Sequence, residues 1–290
     1  MIKILADSTC DLSTQILNQY NISIAPLTIN IEGRIYKDRF EIEPDEFYQM
    51  MKGLAEFPTT GMPSPAEYIN IFNKAVHDGY KEILCICMSS GTSGAYQSAE
   101  LAKTYYYEEN PHSSVKIYIV DSKSMSHGSG WLVLKSAMLR EQGASFEEII
   151  QFNEQYKTKV KHFLSVDDLN HLIKSGRLTN ASAFIGKVLM LKPIMTMKNG
   201  KGAIVAKERG RNRVLKHYVE EFVKRVDQGV TNFVIIGYTS DRTVAETLKA
   251  KIECETDFSG DIHIMQMGVS VGTHVGLGAI SMFFVEKNQV

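Results

Sequence analysis

Ser89-Ser90-Gly91-Thr92-Ser93-Gly94 places four hydroxyl side chains and two glycines in six consecutive residues. Hydroxyls donate hydrogen bonds, and glycines let an anion approach the backbone closely. The run follows an apolar stretch, Ile83 to Met88, and precedes Ala95 to Tyr106, whose spacing predicts a helix. A polar loop between a strand's carboxyl end and a helix start is where open α/β folds bind ligands. The helix start adds unpaired N–H groups and a partial positive charge. A carboxylate and a phosphate both suit such a loop. A plain turn with a capping serine is the blander alternative, but a cap needs one hydroxyl, not four.

Other segments carry groups able to join an anion site. Thr60 lies in Thr59-Thr60-Gly61-Met62-Pro63-Ser64-Pro65, just before a second expected helix. His274 lies in Thr273-His274-Val275-Gly276-Leu277-Gly278, where it can donate to an anion, shuttle a proton or serve structure alone. The Gly276-x-Gly278 pair is no dinucleotide fingerprint, because only 12 residues follow it. Arg177 directly follows an expected helix end, so its cation answers the helix dipole or faces a ligand. Arg209 sits in the basic run Lys207 to Arg213, read as a solvated helix start or a docking surface for a phosphate-bearing partner.

The loop also approximates a nucleophile elbow, Gly91-Thr92-Ser93-Gly94-Ala95, with Ser93 preceding His274 as in a serine hydrolase or esterase. Alanine replaces the elbow's final glycine, and no acid stands out between the two; Asp121 and Asp241 are arbitrary choices. A phosphate-binding enzyme would need a Gly-x-x-x-x-Gly-Lys-Ser/Thr loop, which the chain lacks.

The elements that must position these groups are those of an α/β chain. Lys3 to Ala6, Ile83 to Met88, Val115 to Val120, Phe233 to Tyr238 and Ile262 to Met267 read as buried strands, and Ile204 to Lys207 and Ala279 to Val285 as further ones. Helices are expected at Pro65 to Ala75 behind the Ser64 cap, Ala95 to Tyr106, Gly130 to Arg140 and Phe146 to Tyr156 behind Ser145. More follow from Asp167 to a Gly176 stop, from Arg213 to Val226 and from Arg242 to Ile252 behind Ser240-Asp241. Alternating strands and helices predict mainly parallel pairing. A soft boundary near residue 160 divides the chain into two α/β domains, 1–160 and 161–290.

With 290 residues, the chain is long enough to bury a core in one large domain or two modest ones. Its 32 basic and 33 acidic residues nearly cancel, giving no broad field for nucleic acid or an anionic membrane. Four scattered cysteines make no disulfide scaffold, and Cys85 and Cys87 read as small buried residues, with no metal site. No apolar run approaches 18 residues, and Asp7 interrupts the first one, so the expectation is a cytoplasmic protein without a transmembrane segment.

Several short segments, in order, resemble the DegV family of fatty-acid-binding proteins along nearly the whole chain. They are Ala6-Asp7-Ser8-Thr9-Cys10-Asp11-Leu12, Thr60-Gly61-Met62-Pro63-Ser64, Ser89 to Tyr96, Val120-Asp121-Ser122, Ser175-Gly176-Arg177, Lys192-Pro193-Ile194 and His274 to Ala279. The resemblance implies two α/β domains with a fatty acid in a tunnel between them. The first domain carries the Ser/Thr loops, and the second covers the acyl chain and contributes His274. By motif position, Thr60 and Ser93 hold the carboxylate, with backbone N–H groups near Gly94, and His274 lies close by. Thr92, in place of a common leucine, adds a hydroxyl there or slightly reshapes the head-group end of the pocket. Arg177 and Arg209 match family arginines, the first counted with the ligand site and the second with partner docking. The resemblance further implies a non-enzymatic carrier, with no cofactor or metal beyond the bound long-chain fatty acid. It implies a separate fatty acid kinase as partner, making an acyl-phosphate for phospholipid synthesis. Gly61 and Met62 depart from the family's usual Ser and Gln.

Overall fold

The computed structural model describes residues 1–179 and 191–288. A fully buried strand β1 (Ile2–Asp7) lies between β2 (Ile22–Ala25) and β6 (Glu82–Cys87), and β7 (Lys116–Asp121) completes the sheet. All pairs in this four-stranded sheet are parallel. Strands covered on both faces read as continuous apolar runs, which is why Ile83 to Met88 stood out. A smaller antiparallel sheet joins β4 (Arg34–Lys37), β3 (Thr28–Ile31) and β5 (Thr59–Gly61).

The third sheet has six strands in the order β10-β9-β8-β13-β11-β12. Its members are β8 (Val160–Ser165), β9 (Leu191–Lys198), β10 (Lys201–Arg209), β11 (Phe233–Tyr238), β12 (Asp261–Gln266) and β13 (Ile280–Val285). Only β11 and β12 pair in parallel; the rest are antiparallel. The expectation of mainly parallel strands therefore holds for the first sheet and fails for this one. The hairpin β9–β10 and the returning strand β13 were not visible as pairing partners in local sequence.

Helix starts follow local chemistry. Ser64 caps α3 (Pro65–His77) by accepting from Glu67 N–H at 3.2 Å, with proline at the first position. Ser145 and Glu148 form a full capping box on α6 (Phe146–Tyr156). Helix α4 (Ala95–Glu109) follows the serine loop, and α7 (Asn170–Ser175) ends at Gly176 with φ 70°. Further helices are α1 (Thr14–Gln19), α2 (Pro44–Met50), α8 (Arg211–Arg225), α9 (Arg242–Glu255) and α10 (Val269–Val275). Helix α5 (His127–Glu141) starts three residues before the expected span and is buried along most of its length. It packs between the two large sheets. Trp131, fully buried, stacks on Phe233 at 4.9 Å and donates from Nε1 to the Phe233 carbonyl at 3.1 Å. One apolar cluster thus runs from Ile4 and Leu84 through Trp131 to Phe233 and Phe283. No helix among the described residues is long and apolar enough to cross a membrane.

Candidate functional site

Strand β1 ends in a motif that faces inward. Asp7 accepts from Thr9 N–H at 3.1 Å and from Met88 N–H at 2.7 Å, which fixes the start of the serine loop to the end of β1. Asp11 accepts from Ser126 Oγ at 2.6 Å and Gly268 N–H at 2.9 Å. Burial pushes the Asp11 carboxyl up to about 8 and raises Asp7 as well. The Ala6 to Leu12 segment is therefore a framework, tying the serine loop, α5 and α10 to one strand end.

The four loop hydroxyls are directed to different ends. Ser89 Oγ donates to the Gly200 carbonyl at 2.6 Å. Ser90 Oγ donates to Asp121 Oδ2, away from any cavity. Thr92 Oγ1 donates to the Ser89 carbonyl at 3.0 Å. Ser93 Oγ accepts from Ala95 N–H at 3.2 Å, which leaves its own proton for another acceptor. Gly94 occupies the cap of α4, and no side chain caps that helix. Its position is tight, since a Cβ there would collide with Met62 Sδ.

Ser93, Gly94, Thr92, Thr60, Arg177 and His274 all line one cavity of about 210 Å³. Thr60 is on β5, an edge strand of the small sheet, just ahead of the helix expected after it. His274 is on helix α10, not in a glycine loop. The two meet at 2.9 Å, Thr60 Oγ1 to His274 Nε2. Among the described residues, His274 Nδ1 is buried without a hydrogen-bond partner. Thr92 lines the wall with its hydroxyl proton already directed at Ser89. Arg177 Nε reaches the Thr92 carbonyl at 3.4 Å, and Nη1 the Ser175 carbonyl at 2.5 Å. Arg209 is exposed near the end of β10 and outside this cavity.

Residues that the sequence did not assign to the site complete the wall, among them Met62, Met88, Met125, Leu172, Val271 and Val275. Helical spacing on α10 was the available signal for Val271 and Val275, hidden by the glycines around them. A second, narrow cavity of about 30 Å³ shares Met125, Leu172, Arg177, Val271 and Val275 with the first. It continues past Met195, Met197, Met267 and Phe283. The first cavity is polar at its Thr60–Ser93 end, and the neighbouring second one is mainly apolar, although Ser126, His162, Thr196 and Ser281 also line it; the pair suits an amphiphile with one anionic end.

A Ser93–His274 hydrolase lacks its geometry. His274 Nε2 bonds Thr60, no hydrogen bond joins His274 to Ser93, and no carboxylate orients Nδ1. Asp121 instead accepts from Ser90 and Lys123, and Asp241 caps α9. Among the described residues, no group of His, Cys, Asp and Glu is arranged to hold a metal ion.

Burial pulls His274 down to about 4, with Arg177 and His171 adding repulsion, so its ring is neutral at pH 7. A neutral His can donate from Nε2 to Thr60 Oγ1 and free the threonine proton for an anion. The unfolded chain takes up this proton near pH 6.5, and the native state resists until about 4. Stability linked to His274 is therefore greatest above pH 6.5 and falls as pH drops toward 4. By pH 5 the loss is about 2 kcal/mol. Urea unfolding at pH 7 and pH 5 is expected to show a smaller acid loss for His274→Gln than for the native chain. Parallel losses in the two proteins would mean that His274 titrates as it does unfolded.

A family model described as "Uncharacterised protein, DegV family" matches residues 1–287. A DegV domain-containing protein of Clostridium acetobutylicum is 36% identical over 289 residues, which cover 99% of each chain. The solved structure of a DegV family protein from Thermus thermophilus, titled for its fatty acid binding, matches with a TM-score of 0.88 and 27% identity over 99% of each chain. A stearic-acid-binding protein from Eubacterium ventriosum matches with a TM-score of 0.84 and 26% identity, again over 99% of each chain.

Proposed function

Since this chain belongs to the DegV family, we propose that it binds a long-chain fatty acid, with the carboxylate at Thr60 and Ser93 and the acyl chain along Leu172, Val271 and Val275. The observation that carries this reading is the meeting of Thr60, Ser93, Gly94 and His274 at the polar end of an otherwise apolar cavity. Stearic acid as the ligand of the Eubacterium ventriosum protein supports a long acyl chain. Thr60 and Ser93 donate their hydroxyl protons to the carboxylate, the start of α4 adds backbone donors, and Arg177 supplies the nearby positive charge. His274 holds Thr60 in the donating orientation. Thr92 shapes the loop through Ser89.

Ligand pockets typically enclose roughly 300–1,000 Å³. The main cavity, at about 210 Å³, is smaller, so a long chain enters by moving the wall. Methionine suits that task, being unbranched and easily repacked. The strands and helices of residues 1–160 supply the anion loops, and those of 161–290 cover the acyl chain.

The head-group end lies beneath Met62, which is 53% exposed, whereas Leu172, Val271 and Val275 along the proposed acyl path are buried. That arrangement lets a separate fatty acid kinase reach the carboxylate, so the protein acts as a carrier that presents the acid for acyl-phosphate formation on the way to phospholipid. Arg209 contributes to docking. Arg209→Ala is expected to leave fatty acid affinity unchanged and to slow acyl-phosphate formation by a partner kinase about tenfold. Collapse of lipid affinity in that variant would remove the docking role. The carrier reading as a whole is tested by organic extraction of protein purified from cells, followed by mass spectrometry. Recovery of a long-chain acid is expected. Protein that carries no lipid and binds none on addition would overturn it.

A further inference from the structure

The serine loop is held from outside its own sheet. Asn199 and Gly200 form the two-residue tip of the β9–β10 hairpin, both with left-handed φ, 51° and 73°. That tip belongs to the six-stranded sheet, yet it lies directly on the loop that follows β6. Ser89 is fully buried and absent from the cavity wall, but it is the most connected residue of the loop. Its Oγ donates to the Gly200 carbonyl at 2.6 Å and accepts from Gly91 N–H at 3.2 Å. Its carbonyl accepts from Thr92 N–H at 3.0 Å and Ser93 N–H at 3.1 Å, while its N–H donates to the Ser124 carbonyl at 2.7 Å.

Two glycines make this approach possible. A Cβ on Gly91 would stand 2.5 Å from the Gly200 carbonyl oxygen, and one on Gly200 would stand 2.6 Å from Ser89 Oγ. The hairpin engages the loop a second time through its other arm. Gly202 bridges Leu178, and the adjoining Arg177 reaches the Thr92 carbonyl. Asp7 and Asp121 hold the loop at Met88 and Ser90, and Arg177 reaches it from the cavity wall, while the hairpin tip holds it at Ser89.

We propose that Ser89 is a positioning residue for the anionic head group: clasped by the hairpin tip at Gly200, it holds the 90–94 backbone so that Ser93 and Gly94 face the cavity. The second half of the chain thereby sets the affinity of a site built on the first. The proposal rests on the fatty acid reading given above. It predicts selectivity for the charged head group as the quantity that Ser89 controls, because the hydroxyl touches neither carboxylate nor chain.

The test compares a long-chain fatty acid with the alcohol of equal chain length, both titrated into delipidated native protein, Ser89→Ala and Gly200→Ala. Native protein is expected to prefer the acid. Ser89→Ala should weaken acid binding about three- to tenfold, the scale of one lost hydrogen bond, and leave alcohol binding unchanged. Gly200→Ala strikes the same contact from the opposite strand and should narrow the same preference, so a failure of Ser89→Ala to fold does not end the test. If the variants weaken acid and alcohol alike, or leave the native preference intact, Ser89 has no positioning role and the head-group reading stands. If native protein itself shows no preference for the acid, the head-group reading falls, and this proposal with it.

Discussion

Replacing Thr60 and Ser93 together by alanine is expected to weaken long-chain fatty acid binding by about two to four orders of magnitude. In the proposed complex each hydroxyl would donate to the carboxylate, and such a bond contributes about 1.5–3 kcal/mol. Losing both leaves a desolvated anion with only backbone donors and Arg177. Single variants should each show about half the free-energy loss, unless His274 or a water substitutes for the missing donor. Thr60 is the hydrogen-bond partner of buried His274, so its loss should also lower stability by about 1–3 kcal/mol, and affinities are compared at a temperature where every variant stays folded. Isothermal titration of delipidated protein reads the effect directly. Unchanged affinity in the double variant would place the head group elsewhere.

Acyl chain length should matter at least as much. Each buried methylene contributes about 0.8 kcal/mol, or about fourfold in affinity. Shortening a saturated acid by about six carbons then costs about 5 kcal/mol, more than a thousandfold. The dependence should flatten once the chain reaches the end of the space past Met197 and Phe283. Val271 lies at the junction of the two cavities, so Val271→Trp should abolish binding of long acids and flatten the series for short ones. A series without slope in the native protein would show that the apolar cavity is not the acyl site. Together the two sets of variants separate what the polar end does from what the apolar end does. On the proposed reading the acyl chain is expected to supply most of the affinity and the hydroxyls its direction.

The parts legible in sequence were those encoded locally. Ser64-Pro65 and Ser145 with Glu148 announce helix starts within four residues, and both helices begin where those signals put them. The buried runs of the parallel sheet are readable because strands covered on both faces are continuously apolar. The serine loop stood out for the same reason, a strand, a polar turn and a helix in succession. Which of its hydroxyls faces the cavity was not legible. Ser90 turns to Asp121, 31 residues on, and Ser89 to Gly200, 111 residues on. These long-range partners, not the loop's composition, leave Ser93 with a free proton.

His274 was hidden by its neighbours. Glycines read as loop, yet Gly272 sits inside α10, where a Cβ would collide with the Tyr48 hydroxyl. Packing rather than chain flexibility requires glycine there. The meeting of Thr60 with His274 spans 214 residues and has no local trace; only the whole-chain resemblance put them in one site. The antiparallel character of the six-stranded sheet escaped for a similar reason, since β13 inserts between β8 and β11 from the far end of the chain. Thr92, singled out for its extra hydroxyl, directs that group to Ser89.

On the proposed reading a fatty acid's carboxylate sits between Thr60 and Ser93. A crystal structure of the protein with a long-chain saturated acid tests it most directly. The expected result is a carboxylate within hydrogen-bonding distance of Thr60 Oγ1 and Ser93 Oγ, with the chain running past Leu172, Val271 and Val275 and the methionine wall displaced. A carboxylate found outside this cavity, or a chain reversed within it, would contradict the account.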